Sequence, residues 1–121
     1  MAARILLVED NRLVRETLSV SLTSLGYHVL VAEDGEAART ILAGPDPIDL
    51  VFTDFFLRTG PNGAQIAAFA RALRPSIKIL FTSGFAADSL RDRDGVGPGD
   101  EFLMKPYDLD ALRSALGRIL G

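Results

Sequence analysis

The chain alternates short, continuous apolar runs with longer segments in which apolar residues recur every three or four positions. Continuous runs are typical of strands buried on both faces of a parallel sheet, whereas the longer periodicity is typical of amphipathic helices. The runs predict five strands, at residues 5–8, 27–32, 50–53, 77–82 and 101–104. The pattern therefore predicts an α/β protein in which helices connect consecutive strands.

The helical segments have recognisable first and last residues. Asn11 can cap the first helix and Gly26 stops it, the second helix runs from Asp34 to Gly44, and Pro75 prevents the third from continuing. The residues predicted to face the core are Val14, Leu18, Leu22 and Leu25, then Ala37, Ala38, Ile41 and Leu42, then Ile66, Ala67, Phe69, Ala70 and Leu73, and finally Leu109, Leu112, Leu116, Ile119 and Leu120.

Residues 86–99, before the last strand, are polar and glycine-rich. This composition predicts no stable α-helix, and we expect the segment to be among the more mobile parts of the chain.

Alternation of strands and helices implies right-handed crossovers and a parallel sheet between two helical layers. The chain has 121 residues, with no internal repeat or linker, so we expect a single domain over residues 1–121.

Composition narrows the possible functions. A formal charge of −3 makes nucleic acid an unsuitable direct partner, and the lack of cysteine excludes disulfides and thiolate chemistry. With His28 as the one histidine, a zinc site made by protein ligands is not expected. No apolar run reaches the ~20 residues of a membrane helix and the N-terminus does not resemble a signal peptide, so a cytoplasmic location is the default expectation.

Polar side chains follow four of the predicted strands: Glu9, Asp10, Asp54, Ser83 and Lys105. Ligands of open parallel sheets bind outside the carboxyl ends of the strands, so these groups should meet at one edge. Carboxylates that lie close together repel one another unless a cation binds between them, and their hard oxygen atoms suit Mg²⁺. A lysine and a hydroxyl facing them suit the oxygens of a phosphoryl group, with Asp54 as the nucleophile.

Four stretches carry a family resemblance that extends over the whole chain: ILLVEDN, LVFTDFFL, ILFTSGFA and FLMKPYDLDAL. Together they resemble the receiver domains of bacterial response regulators. The resemblance implies a flavodoxin-like, doubly wound sheet of five parallel strands in the order 2-1-3-4-5. The chain departs from the family pattern in the loop at residues 58–63, which is one residue longer than usual and lacks the usual proline after Leu57.

The resemblance also implies roles at the site. Asp54 would be the phosphorylated aspartate, Asp10 a direct Mg²⁺ ligand, and Glu9 a ligand acting through water. The backbone carbonyl of Phe56 would complete the metal ligands. Lys105 would contact the phosphoryl oxygens, and its peptide bond to proline would be cis.

Further positions are implied to transmit or time the signal. Ser83, rather than Thr82, would be the switch hydroxyl, and Phe102 would be either a core aromatic or the switch aromatic. The positions two residues past the phosphoacceptor and the switch hydroxyl, Phe56 and Phe85, would set the lifetime of the phosphorylated state.

The sequence therefore predicts a phosphorylation-dependent signalling module of a two-component or phosphorelay pathway. Its partners would be a histidine kinase or a histidine phosphotransfer protein and an output partner that the sequence does not name. It would catalyse only its own phosphorylation and dephosphorylation, as a monomer or a phosphorylation-dependent dimer. The main alternative is a small Mg²⁺-dependent phosphatase or phosphotransferase with an aspartyl nucleophile, but that class needs a second acid where Phe56 stands. A nucleotide-binding module would need a glycine-rich phosphate loop, which is absent, and a phosphate-independent receiver would not need the complete site.

Overall fold

A computed structural model describes residues 2–121, where five strands alternate with four α-helices. The elements are β1 (Arg4–Val8), α1 (Arg12–Ser24), β2 (His28–Ala32), α2 (Gly35–Ala43), β3 (Leu50–Asp54), α3 (Gly63–Leu73), β4 (Lys78–Ser83), β5 (Glu101–Met104) and α4 (Leu109–Leu120). Every strand predicted from the apolar runs is present, with ends that differ by at most one residue.

The five strands form one parallel sheet in the order β2-β1-β3-β4-β5, which confirms the predicted topology. β1 and β3 are neighbours in the sheet. β2 lies on one side of β1, whereas β3, β4 and β5 lie on the other, so the direction in which strands are added reverses at β1. The crevice where ligands bind in such sheets therefore lies outside the carboxyl ends of β1 and β3.

The three inner strands, β1, β3 and β4, are buried on both faces, so the sheet separates two apolar cores. One core lies against α2 and α3, and its large members include Leu6, Val51, Phe55, Ile66, Ile79 and Phe81. The other lies against α1 and α4, and its members include Ile5, Leu7, Leu22, Phe52, Leu80, Leu112 and Leu116. Continuous apolar strands and one-sided helices are what this three-layer arrangement requires.

The prediction that Val14, Leu73 and Leu109 face the core is wrong, because these residues are 40%, 49% and 46% exposed. Leu73 is the last residue of α3, where the helix leaves the sheet. Val14 lies in the first turn of α1 and Leu109 in the first turn of α4. A helix of 13 residues is about 20 Å long, whereas a five-residue strand spans about 16 Å. The helices are therefore longer than the strands beneath them, which leaves their first turns without a strand to pack against.

Residues 84–100, the β4–β5 segment, contain no α-helix and only a short 3₁₀ turn at Ala87–Ser89, as the composition predicts. Arg71 of α3 donates to both carboxylate oxygens of Asp100, at 2.8 and 3.2 Å, and to the carbonyl of Gly95 at 2.7 Å. The buried Asp100 carboxylate also accepts the N–H of Gly97. The three contacts of Arg71 fasten the segment to α3, which the sequence does not reveal.

Candidate functional site

The sheet brings three acidic side chains to its carboxyl edge. Glu9 and Asp10 follow β1, and Asp54 ends the neighbouring strand β3. Each of the three offers a carboxylate oxygen, and these oxygens all lie within 4.8 Å of one another. Residues that are more than forty positions apart in the chain therefore form one cluster, as their places at the strand ends predict.

The Asp54 carboxylate is buried and has a cationic neighbour. Lys105 reaches it from the turn after β5, with its Nζ 2.8 Å from Asp54 Oδ1. Beyond this ion pair, Oδ1 has no hydrogen-bond partner among the described residues. The N–H of Lys105 donates to the carbonyl of Ser83 at 2.7 Å, and the Lys105-Pro106 peptide bond is cis, as the resemblance implies.

Glu9 is buried beside Asp54, and its environment disfavours a second negative charge. Burial raises the pKa of the Glu9 carboxyl to about 8, and a hydrogen bond to Asp54 and the charge of Asp54 act in the same direction. A cation bound among these carboxylates would relieve both effects. The three carboxylates offer hard oxygen ligands, which Mg²⁺ prefers, and the buried Asp54 Oδ1 has the Lys105 ammonium as its polar contact among the described residues.

Asp10 differs from Glu9, because the pKa of its carboxyl is lowered. Burial alone would raise this pKa, but hydrogen bonds from the Arg58 amide and from Glu9, together with the guanidinium of Arg58, lower it by more than burial raises it. Asp10 is therefore ionised at neutral pH and is held by the loop that follows β3.

The first residue of α3 packs against the strand that ends at Asp54. The N–H of Gly63 donates to the carbonyl of Phe55 at 2.9 Å, and a Cβ at position 63 would collide with the carbonyl oxygen of Asp54. Only glycine permits this close approach. Asn62 caps the helix and Gln65 bonds back to the Asn62 N–H, so the loop after β3 ends at a fixed point.

Two hydroxyl groups lie at the end of β4. Thr82 is the register partner of Asp54, and its buried Oγ1 lies next to the Tyr107 hydroxyl without a hydrogen bond of ordinary geometry among residues 2–121. Ser83 follows it and accepts the N–H of Phe85 at 2.9 Å. Both hydroxyls are placed at the carboxyl edge of the sheet, and the choice of Ser83 as the switch remains a prediction.

Phe55 and Phe56 point in different directions, as expected for neighbours at a strand end. Phe55 is fully buried, whereas Phe56 is 45% exposed. The ring of Phe56 contacts that of Phe85 edge to face at 5.6 Å between centroids, and Phe85 is 61% exposed. The two positions implied to set the phosphate lifetime therefore form one aromatic pair at the surface.

Phe102 on β5 is half-buried and touches two core rings. Its centroid lies 5.1 Å from that of Phe81 and 6.2 Å from that of Phe55. The guanidinium of Arg91, in the β4–β5 segment, lies 5.1 Å from its centroid on the other side. Phe102 therefore packs on the core and also contacts the segment predicted to carry the signal.

Tyr107 and Arg58 belong to the site but were not predicted from the sequence. Burial raises the pKa of the Tyr107 hydroxyl to about 12, and the charges of Asp54 and Glu9 raise it further, which places the ring beside the acids. An aromatic residue two positions after the strand-end lysine was the available signal for Tyr107. Arg58 lies in a loop whose pairing with Asp10 no local pattern shows.

Tyr107 also lines a shallow apolar cleft at the start of α1. The other residues of this α1 cleft are Leu13, Val14, Thr17 and Leu18. Leu13 is 72% exposed and its neighbour Val14 is 40% exposed, so the cleft presents two adjoining apolar side chains to solvent.

Across the described residues, none of the helices has the length and hydropathy that a membrane crossing requires.

Comparison with a protein-family model gives a match over residues 5–117, and the family is described as the response regulator receiver domain. The response regulator receiver protein CpdR of Brucella abortus is 35% identical over 118 residues, which cover 97% of this chain and 96% of that protein. Several other curated relatives are longer, and the chain spans only 26% to 51% of their length.

Solved structures show the same architecture. A response regulator receiver protein from Sinorhizobium medicae superposes with a TM-score of 0.89 at 30% identity, over 98% of this chain and 94% of that one. The receiver domain of the sensor histidine kinase PA1611 from Pseudomonas aeruginosa, with a magnesium ion coordinated in its active site cleft, gives a TM-score of 0.84 at 27% identity, over 100% of this chain and 99% of that one.

Proposed function

The chain belongs to the response regulator receiver domain family, and from this premise we propose that Asp54 accepts a phosphoryl group from a phosphohistidine on a sensor kinase or a histidine phosphotransfer protein. Receiver domains are signalling modules of two-component systems rather than enzymes with a separate substrate. The observation that supports the proposal best is the position of Asp54, at the end of a central strand, paired with Lys105 and within reach of two further carboxylates.

The chemistry requires a carboxylate oxygen that can attack phosphorus. An oxygen of Asp54 forms the new O–P bond as the P–N bond to the donor imidazole breaks, and the leaving imidazole takes a proton from water. Lys105 neutralises part of the charge on the phosphoryl oxygens. Mg²⁺, held by Asp10, Asp54 and the Phe56 carbonyl with Glu9 acting through water, would supply further charge neutralisation. Phe56 offers no second acid, so the alternative of an aspartyl phosphatase has no support here.

Phosphorylation would be transmitted through the end of β4 and the residues that contact it. Ser83 lies one residue past the register partner of Asp54, and its carbonyl accepts the N–H of Lys105. Phe102 links the core to Arg91 of the β4–β5 segment. If the Ser83 hydroxyl moves toward the phosphoryl group, the chain at the end of β4 and the contact of Phe102 with Arg91 should both shift. These two places adjoin the β4–β5 segment, and we assign the output surface to that segment.

The α1 cleft is where we place a helix of the phosphodonor protein. It adjoins the acids through Tyr107, and α1 begins two residues after Asp10. A donor that delivers a phosphohistidine to Asp54 must cover the neighbouring surface, and an exposed leucine and valine give that contact its apolar area.

The proposed function predicts that acetyl phosphate and Mg²⁺ add one phosphoryl group per chain. Intact-mass spectrometry would measure the addition, and chelation of the metal with EDTA should prevent it, because the clustered acids then repel the incoming anion. A chain that stays unmodified over a range of acetyl phosphate and Mg²⁺ concentrations would contradict the proposal.

If the phosphodonor protein docks on the α1 cleft, Leu13→Glu should slow phosphotransfer from a protein donor but not from a small molecule. Transfer from a phosphorylated kinase or phosphotransfer protein should slow about tenfold, since a charge replaces apolar contact area. Labelling by acetyl phosphate, which needs no docking, should be unchanged. Leu73→Glu is the matched control, because Leu73 is an exposed leucine on α3, in the opposite helical layer. Equal slowing in both variants would exclude the α1 cleft as the docking site.

A further inference from the structure

Arg58 makes three contacts with Asp10. Its N–H donates to Asp10 Oδ2 at 2.9 Å, its Nε lies 3.4 Å from the same oxygen, and its Nη2 donates to the Asp10 carbonyl at 3.3 Å. The Asp10 carboxylate is mostly buried, whereas the Arg58 side chain is 73% exposed. An exposed cation therefore covers one of the carboxylates that the proposed function assigns to Mg²⁺.

These contacts depend on the residue that follows Leu57. The family resemblance predicts a proline there, and proline has neither an N–H to donate nor a charge. Neither the amide contact nor the guanidinium contacts could form with proline. The arrangement is thus a property of this chain and of its longer loop.

The guanidinium and a metal ion compete for the same charge. Both are cations, and a metal ion bound to Asp10 would repel a guanidinium 3.4 Å from that carboxylate. The side chain of Arg58 can move into solvent at little cost, because most of its surface already contacts water. Lys105 differs, because the proposed function keeps its ammonium at the site, on the phosphoryl oxygens.

We propose that Arg58 is an internal counterion of Asp10 that must be released before Mg²⁺ binds, and that it thereby sets the metal affinity of the site. The inference rests on the proposed function for the identity of the metal. Arg58 is a positioning residue in this scheme, since it acts through Asp10 and not on the phosphoryl group. It keeps the metal-free site partly neutralised, and it raises the Mg²⁺ concentration at which phosphorylation becomes possible.

Mg²⁺ titration by calorimetry tests the inference on the unphosphorylated chain. At fixed ionic strength, Arg58→Ala should bind Mg²⁺ with a Kd about threefold to fivefold lower than the wild type, the range expected for an exposed ion pair. The variant keeps the amide contact and removes only the guanidinium. Arg12→Ala is the matched control: it removes the same charge two positions from Asp10, on a side chain that pairs with Glu16 instead. Its Kd should change by less than about twofold, because exposed charges are screened by salt.

Stability gives a second readout that does not depend on activity. Because Arg58 pairs with Asp10 only in the metal-free state, Arg58→Ala should lower the melting temperature in EDTA and match the wild type in saturating Mg²⁺. An unchanged or raised Kd in Arg58→Ala would overturn the inference, the raised value showing that Arg58 orients Asp10 for the metal. The proposed function would survive that result, whereas a wild type that binds no Mg²⁺ would overturn both.

Discussion

Asp54→Asn should take up no phosphoryl group from acetyl phosphate and Mg²⁺ under conditions in which the wild type takes up one. The amide has nearly the same shape as the carboxylate, but it is neutral and does not attack phosphorus. Loss of the charge also removes the ion pair with Lys105 and one of the metal ligands. Intact-mass spectrometry of both proteins, treated in parallel, would show the difference.

Asp46→Asn is the control for this substitution, since Asp46 is exposed in the loop before β3 and lies outside the acidic cluster. It should be labelled like the wild type. Equal phosphate uptake by Asp54→Asn and the wild type would refute the assignment of Asp54 as the phosphorylated residue.

The second large effect concerns the lifetime of the phosphorylated state. An acyl phosphate is lost when water attacks in line, so side chains beside the phosphoryl group control the rate by orienting or excluding that water. Phe56 and Phe85 contact each other at the surface and offer no group that binds water. We therefore expect phosphorylated Asp54 to persist, and we expect Phe56→Asn with Phe85→Glu to hydrolyse at least about tenfold faster. A tenfold gain corresponds to about 1.4 kcal/mol off the barrier.

The measurement is the decay of the phosphorylated chain after the phosphodonor is removed. Val20→Asn with Leu73→Glu introduces the same polar side chains at exposed apolar positions of α1 and α3, and it should leave the decay unchanged. A wild type that loses its phosphate within seconds would contradict the shielding role of the aromatic pair. So would a slower decay in the Phe56 and Phe85 double variant.

The fold could be predicted because the forces that select it are local in the sequence. A parallel sheet covered on both faces needs continuous apolar strands, and the apolar run before Asp54 forms such a strand, buried along its whole length. A parallel sheet brings the ends of its strands to one edge, and the strand order implied by the family resemblance makes β1 and β3 neighbours, which puts Glu9, Asp10 and Asp54 together. The acidic cluster therefore follows from element order, without any knowledge of side-chain contacts.

The contacts that hold the site in place could not be predicted in this way. Arg58 and Asp10 are 48 positions apart, and Arg71 and Asp100 are 29 apart, so each pair depends on how two loops or helices meet in space. In the sequence, Arg58 and Arg71 cannot be distinguished from ordinary arginines exposed at the surface. The predicted burial of Val14 is wrong for a related reason. Periodicity gives the direction of a side chain on a helix but does not show whether a strand lies beneath it.

The manner in which the β4–β5 segment is fastened bears on how such a protein can diverge in evolution. Arg71 of α3 holds two groups of the segment, the main-chain carbonyl of Gly95 and the buried carboxylate of Asp100, and the N–H of Gly97 bonds to that same carboxylate. Anchors of this kind place few demands on the neighbouring side chains, of which Asp88, Asp92, Asp94 and Pro98 are exposed. Their identities can be exchanged between duplicated genes without disturbing the sheet or the acidic cluster, so that copies with the same chemistry can acquire different output partners.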